Sequence, residues 1–173
     1  MEPIVLDIKY SPEDLQKSYE LHYKVYYPVR SKLLLILGIL LIVVGGLLFF
    51  IDYIRQESEW LSWFYIVLGG LSVVYHFWKI STMGKKMFRR MPDFQASHNF
   101  IINDAGVNGK SATMSSEVKW EHYKEAVLAS EMILLYINPF RFNIFPKKFF
   151  KNGEFEKLKE IVISKVKPIR QLK

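Results

Sequence analysis

The stretch LLLILGILLIVVGGLLFFI, residues 33–51, contains no charged side chain. As a helix rising about 1.5 Å per residue it would be roughly 28 Å long, close to the hydrocarbon thickness of a bilayer. A helix of a soluble core would carry a polar face, and this run carries none. It is read as a transmembrane helix. A cleaved signal peptide fits poorly, because the run starts late, its apolar core is long and no small-residue cleavage pattern follows it.

A second run follows at once. WLSWFYIVLGGLSVVYHFW, residues 60–78, has a similar length and one ionisable residue, His76. Its aromatics gather at the ends, with Trp60, Trp63 and Tyr65 at one and Tyr75 and Trp78 at the other. Amphipathic rings prefer the headgroup level, so this is an interfacial belt. The alternative, a buried helix of a soluble protein, is set aside on length. The short loop 52–59 is acidic, with Asp52, Glu57 and Glu59 against Arg55. The outer flanks are basic: Lys24, Arg30 and Lys32 precede the first run, and Lys79, Lys85, Lys86, Arg89 and Arg90 follow the second. Lysine and arginine are retained on the cytoplasmic side, so both termini are expected there and the loop outside.

Gly38, Gly45 and Asp52 recur at seven, as do Ser62, Gly69 and His76. Seven residues are nearly two helical turns, so each trio shares a face. Small residues let lipid-embedded backbones approach closely. Gly38 and Gly45 are therefore expected to face Gly69 across a hairpin. His76 would sit near the cytoplasmic end of that seam. An intramembrane ionisable group suggests function. Here no second ionisable partner lies within the runs, so a headgroup contact accounts for it better than a proton relay.

The chain outside the hairpin reads as a mixed domain. Ile4, Leu6, Ile8 and Tyr10 alternate with Val5, Asp7 and Lys9, a half-buried strand. Ser11, Pro12 and Asp14 then form an N-cap, a first-turn proline and a capping-box spacing. Leu15, Tyr19, His22, Tyr23 and Tyr26 give the expected apolar face of the helix that follows. Residues 79–91 can extend the second span until Pro92 ends it. Residues 94–145 read as a meander of short antiparallel strands, with turns at DAG, Ser130–Glu131 and Asn138–Pro139. Residues 154–166 form an amphipathic helix with Phe155, Leu158, Val162 and Val166 on one face. Glu154 and Glu156 lie in its first turn and Lys165 and Lys167 at its last, matching the helix dipole. The N-terminal strand is expected to join the sheet of this domain.

FNIFPKKFF, residues 142–150, divides in that context. Phe142 and Ile144 are expected to point into the core, with Asn143 and Phe145 on the other face. Pro146 marks a strand end. Lys147 and Lys148 fall on a turn. Phe149 and Phe150 pack under the start of the last helix, before Asn152 or Gly153, like a hydrophobic staple.

Chemistry is sparse. There is no cysteine, hence no disulfide and no thiolate nucleophile or metal site. His22, His76, His98 and His122 are far apart and show no metal-ligand spacing. No nucleophile elbow, P-loop or dinucleotide-binding glycine pattern occurs. Glu117, Glu121 and Glu125 recur at four, and the interleaved Lys119 and Lys124 make them a solvated surface. No catalytic residue, metal or cofactor is expected, and the chain is not read as an enzyme. From Lys79 onward there are 18 basic and 9 acidic residues, a difference of +9. They are spread out and begin beside a membrane, so the anionic inner leaflet or an acidic protein outranks nucleic acid as partner.

NDAGVNGKS (103–111), VKWEHYKEAV (118–127) with Trp120, MILLYI (132–137) and above all NIFPKKFF (143–150) resemble the YcxB-like family of bacterial membrane proteins. The C-terminal domain of that family is similar to bacterial pleckstrin-homology-like folds. The resemblance implies an architecture and a place, the bacterial inner membrane, and no activity. The expected class is an α+β cytoplasmic domain of antiparallel strands with a C-terminal amphipathic helix, into which a two-helix transmembrane hairpin is inserted. Residues 1–32 are its N-terminal strand and helix, 33–51 and 60–78 the spans, and 52–59 the outer loop. Residues 79–92 are a basic juxtamembrane segment, and 93–173 the sheet domain. Lys85, Lys86, Arg89, Arg90, Lys147, Lys148 and Lys151 are the candidate lipid or partner contacts. Gly38, Gly45 and Gly69 are the hairpin-packing residues. The expected role is a non-enzymatic, membrane-anchored interaction module with a protein partner or a second copy; the alternative is a domain that binds anionic lipid headgroups.

Overall fold

The computed structural model describes residues 2–29, 32–55, 59–112, 115–151 and 153–172. Arg30, Glu57, Asn152 and the side chain of Asp52 therefore lie outside the described residues. The chain divides into two units, one made of residues 1–18 and 84–173, the other of residues 19–83.

The first unit is a mixed α/β structure built on two four-stranded sheets among the described residues. Strand β1 (Ile4–Lys9) buries Ile4, Leu6 and Ile8 and exposes the residues between, as its alternation predicts. It pairs antiparallel with β2 (Ser97–Ile102), Ile4 opposite Ile102 and Lys9 opposite Ser97. The N-terminal strand thus joins strands some ninety positions later in the chain. Strands β3 (Gly106–Lys110) and β4 (Ser115–Lys119) complete the sheet in the order β1-β2-β3-β4. The second sheet has the order β7-β6-β5-β8, from β5 (Glu125–Leu128), β6 (Met132–Asn138), β7 (Arg141–Pro146) and β8 (Ile169–Gln171). Phe100 of the first sheet meets Phe145 of the second edge to face, centroids 5.2 Å apart.

Several expectations are corrected here. The meander is two sheets, because the 3-10 turn Trp120–His122 breaks the pairing between β4 and β5. Phe94 belongs to the 3-10 turn Pro92–Gln95, and the strand starts at Ser97. Strand β8 was not anticipated; it pairs in parallel with β5, Val127 opposite Arg170. The expected alternation of β7 fails: Ile144 and Phe145 are both buried, whereas Phe142 is only half-buried.

Helix α4 (Glu154–Lys165) buries Phe155, Leu158, Ile161 and Val162. Its N-cap is Gly153 at φ 82°, a left-handed backbone that glycine adopts without a Cβ clash. Phe150 meets Phe155 with ring centroids 5.3 Å apart, so it packs under the start of the helix as expected, though not at the N′ and N4 positions of a hydrophobic staple. Helix α1 (Pro12–Tyr26) begins with a reciprocal capping box. The Ser11 N–H donates to Asp14 Oδ2 at 2.8 Å, and the Asp14 N–H to Ser11 Oγ at 3.3 Å. In its first turns Asp14, Leu15, Gln16 and Ser18 are buried.

The second unit holds the remainder of α1, helix α2 (Leu33–Arg55) and most of helix α3 (Trp60–Arg90). Its part of α1 buries His22 and Val25, while Tyr19, Tyr23 and Tyr26 are half-buried, so the buried stripe is displaced from the expected one. Rings of Tyr19, Tyr23, Tyr26 and Tyr27 lie between 5.2 and 6.4 Å from the His22 imidazole. Burial pushes that imidazole below its usual range. Helix α3 is unbroken from 60 to 90, so the basic residues 79–90 continue the helix of the second apolar run, as the sequence allowed, and Pro92 lies just beyond its end. Both α2 and α3 are long and apolar enough to cross a membrane.

Candidate interaction surfaces

Three groups of residues came forward from the sequence: the glycine seam, the basic end of α3 and the turn after β7. The seam lies wholly in the second unit. In α2 the described buried residues are Gly38 and Gly45; in residues 60–83 of α3 they are Ser62, Gly69 and His76. A Cβ on Gly38 would stand 2.9 Å from the Gly69 carbonyl oxygen, and one on Gly69 would stand 2.6 Å from that of Gly38. Gly45 faces the Ser62 carbonyl and Ile66 rather than Gly69. Ser72 Oγ donates to the Leu34 carbonyl at 3.2 Å, and Phe49 meets Trp63 edge to face. The helices are thus in backbone contact along one face, as small residues permit. Gly69→Leu is expected to cost about 1–3 kcal/mol of hairpin stability by overpacking, whereas Gly70→Leu, where a Cβ meets nothing within 4 Å, leaves it unchanged. Thermal unfolding of the detergent-solubilised chain measures both, and equal midpoints would refute the seam.

The basic end of α3 presents Lys85, Lys86, Arg89 and Arg90 to solvent, with Gly84 buried and Met87 and Phe88 half-buried on the other side. Gln16 Oε1 accepts from the Gly84 N–H at 2.8 Å, which fixes this last stretch against α1.

The turn after β7 is the 3-10 segment Lys147–Phe149. Lys147 and Lys148 are exposed, and both touch aromatic faces: Lys147 Nζ lies 5.7 Å from the Phe155 centroid and Lys148 Nζ 5.0 Å from that of Phe149. Lys148 also pairs with Asp14 at 2.7 Å, and that carboxylate is buried. Its charge therefore serves the first turn of α1. Lys151 is exposed, and its N–H donates to Glu154 Oε2 at 2.8 Å. Beneath this turn the Tyr10 hydroxyl donates to the Ile144 carbonyl at 2.8 Å. Burial, reinforced by Asp14 and Asp93, pushes that phenol far above its usual range and keeps it a neutral donor.

Glu125 corrects the expected acidic surface. Glu117, Glu121 and Glu125 lie on a strand, a 3-10 turn and a strand, not on one helix, so a spacing of four does not align them. Glu125 is buried and paired with Arg170 of β8. Of the histidines, His98 stacks on Phe100 and its Nε2 bonds the Asp93 carbonyl at 2.9 Å, while His122 is exposed. Among the described residues no three His, Asp or Glu side chains come together as a metal-holding group.

Two stretches that carried the resemblance meet in space. Asn103 Oδ1 accepts from the N–H groups of Ala105 and Gly106, shaping the turn between β2 and β3. The Trp120 indole N–H then donates to the Asn103 carbonyl at 2.9 Å. No curated protein and no solved structure matches the chain. A family model described as YcxB-like protein does match, over the stretch that begins at the end of β2, includes this turn and Trp120, and ends within α4. On that match, residues 102–162 are similar to the YcxB-like family.

Proposed function

We propose that α2 and α3 cross the bacterial inner membrane as a hairpin and anchor the α/β unit, pleckstrin-homology-like in plan, at the cytoplasmic face. There it serves as a non-enzymatic interaction module for a protein partner. The observation that carries the membrane reading is exposure. Only 11% and 17% of the apolar windows of α2 and α3 are buried, and Leu40, Leu47, Leu71 and Val74 point outward. A core helix of a soluble protein would be mostly covered, and uncovered apolar surface of this extent marks a lipid or protein contact. Lys79, Lys85, Lys86, Arg89 and Arg90 beyond the second helix, against Glu59 before it, favour cytoplasmic termini. Two sheets closed by one C-terminal helix support the comparison with the pleckstrin-homology plan, and the match to residues 102–162 supports the family's membrane setting.

The test is a pair of reporter fusions. Green fluorescent protein after Lys173 is expected to fluoresce, and alkaline phosphatase inserted between Arg55 and Glu59 is expected to be active. An active phosphatase at the C-terminus would overturn the topology.

A further inference from the structure

The hairpin between β6 and β7 carries a bare aromatic side chain at its tip. Phe140 is 86% exposed, the most exposed large apolar side chain described; in its own unit the next, Val5, is 53% exposed. It is held out by a formed turn. Asn138 Oδ1 accepts from the Phe140 N–H at 2.9 Å, and Pro139 restricts the residue before it. Arg141 follows, exposed, and pairs in register with Asn138. Lys124 is exposed, and its N–H donates at 2.7 Å to the carbonyl of Tyr136, two residues before Asn138. No acid occurs between Glu131 and Glu154. Of the acids nearest Lys124 in sequence, Glu125 is paired with Arg170, and Glu121 lies 3.9 Å from His122.

We propose that the Phe140 tip is a lipid-contacting finger: Phe140 enters the interfacial layer of an anionic bilayer while Arg141 and Lys124 meet its phosphates. Size decides between lipid and protein. A stable protein interface buries on the order of 1,200–2,000 Å², far more than one aromatic and two cations offer. A lipid contact by a tethered domain needs much less, because the anchor already supplies a high effective concentration. The proposal rests on the membrane reading above. It also relocates the lipid contact expected at Lys147 and Lys148. Those lysines follow Pro146, at the far end of β7 from Arg141, and about six residues of strand separate the ends by roughly 20 Å. Lys147 is tied there to the β5–β6 turn through the Glu131 carbonyl, which its N–H reaches at 2.9 Å.

The absence of cysteine makes site-specific labelling direct. The full chain carrying Phe140→Cys, Ser130→Cys or Leu40→Cys is labelled with an environment-sensitive fluorophore. Each is reconstituted into phosphatidylcholine liposomes with and without phosphatidylglycerol. Ser130 lies at the opposite end of β6 and Leu40 within α2. The label at 140 is expected to shift to the blue with phosphatidylglycerol and to be quenched by lipids bearing a doxyl group near the headgroup. The label at 130 is expected to stay water-like. Arg141→Glu in the Phe140→Cys background should abolish the shift. A water-like signal at 140, or a shifted one that doxyl lipids fail to quench, overturns the finger; the second outcome would mean cover by protein. If the label at 40 also reads water, the membrane reading has failed with it. If 40 reads deep while 140 reads water, the finger alone has failed.

Discussion

Trp120→Ala is expected to lower the stability of the α/β unit by about 3–5 kcal/mol, the range for truncating a buried aromatic. The side chain is 5% exposed and packs on Tyr123, centroids 5.9 Å apart. Its indole N–H satisfies the Asn103 carbonyl, and its own backbone N–H reaches the Ala105 carbonyl at 3.4 Å. The residue therefore ties the β2–β3 turn of the first sheet to the 3-10 turn that leads into the second. Alanine leaves both a cavity and an unpaired carbonyl. Trp120→Phe keeps most of the ring volume and loses the donor, so its cost should fall to about 1–3 kcal/mol. Against a total of about 5–15 kcal/mol for a domain, the alanine variant stands close to unfolding. Urea titration of the solubilised chain, followed by far-ultraviolet circular dichroism, gives both values. If Trp120→Ala costs no more than Trp120→Phe, the packing argument is wrong.

Much of this arrangement was readable wherever a period reports directly on one buried face. Ile4, Leu6 and Ile8 alternate, and they are buried in β1. Ser62, Gly69 and His76 recur at seven, and all three are buried, Gly69 against Gly38 and Ser62 against Gly45. The Ser11–Asp14 capping box is a local motif, complete within four residues. What escaped depends on partners distant in the chain. Strand β8 has three residues, and a parallel edge strand is defined by β5, some forty positions earlier. Phe145 breaks the alternation because Phe100 of the other sheet covers the face that the pattern would leave open. Glu125 looks solvated until Arg170 is brought beside it.

The candidate surfaces show the same division. The basic end of α3 needed only charge counting. Lys148 shows why counting is insufficient, since its partner is Asp14, 134 positions away. Phe140 was visible in the sequence as an aromatic beside an Asn-Pro turn, but a turn signal does not say which side chain will lack cover. Only the fold distinguishes the bare Phe140 from Phe142, which meets Tyr136 at 4.9 Å.

Gly84→Leu is expected to be the most damaging substitution within a helix, costing about 2–6 kcal/mol. Glycine inside a helix is itself worse than alanine by about 1 kcal/mol, so its presence in α3 calls for a compensating contact. That contact is backbone against backbone. A Cβ at 84 would fall on the Cα and N of Gln16 and within 2.6 Å of the Leu15 carbonyl carbon. Flexible side chains can yield to such an intrusion, but the main chain of α1 cannot without moving the helix. Separation would also break the bond from the Gly84 N–H to Gln16 Oε1, made at 2.8 Å in a buried setting, and leave a buried acceptor to desolvate at about 1–3 kcal/mol. Overpacking adds about 1–3 kcal/mol of its own. Gln16→Ala removes the side-chain acceptor and its packing but leaves the main chain of α1 in place, so it should cost less, about 1–2 kcal/mol. The readout is amide hydrogen exchange of residues 14–18. Their protection should collapse in Gly84→Leu and persist in Gln16→Ala, and preserved protection in the leucine variant would show that α1 and the end of α3 are not in contact.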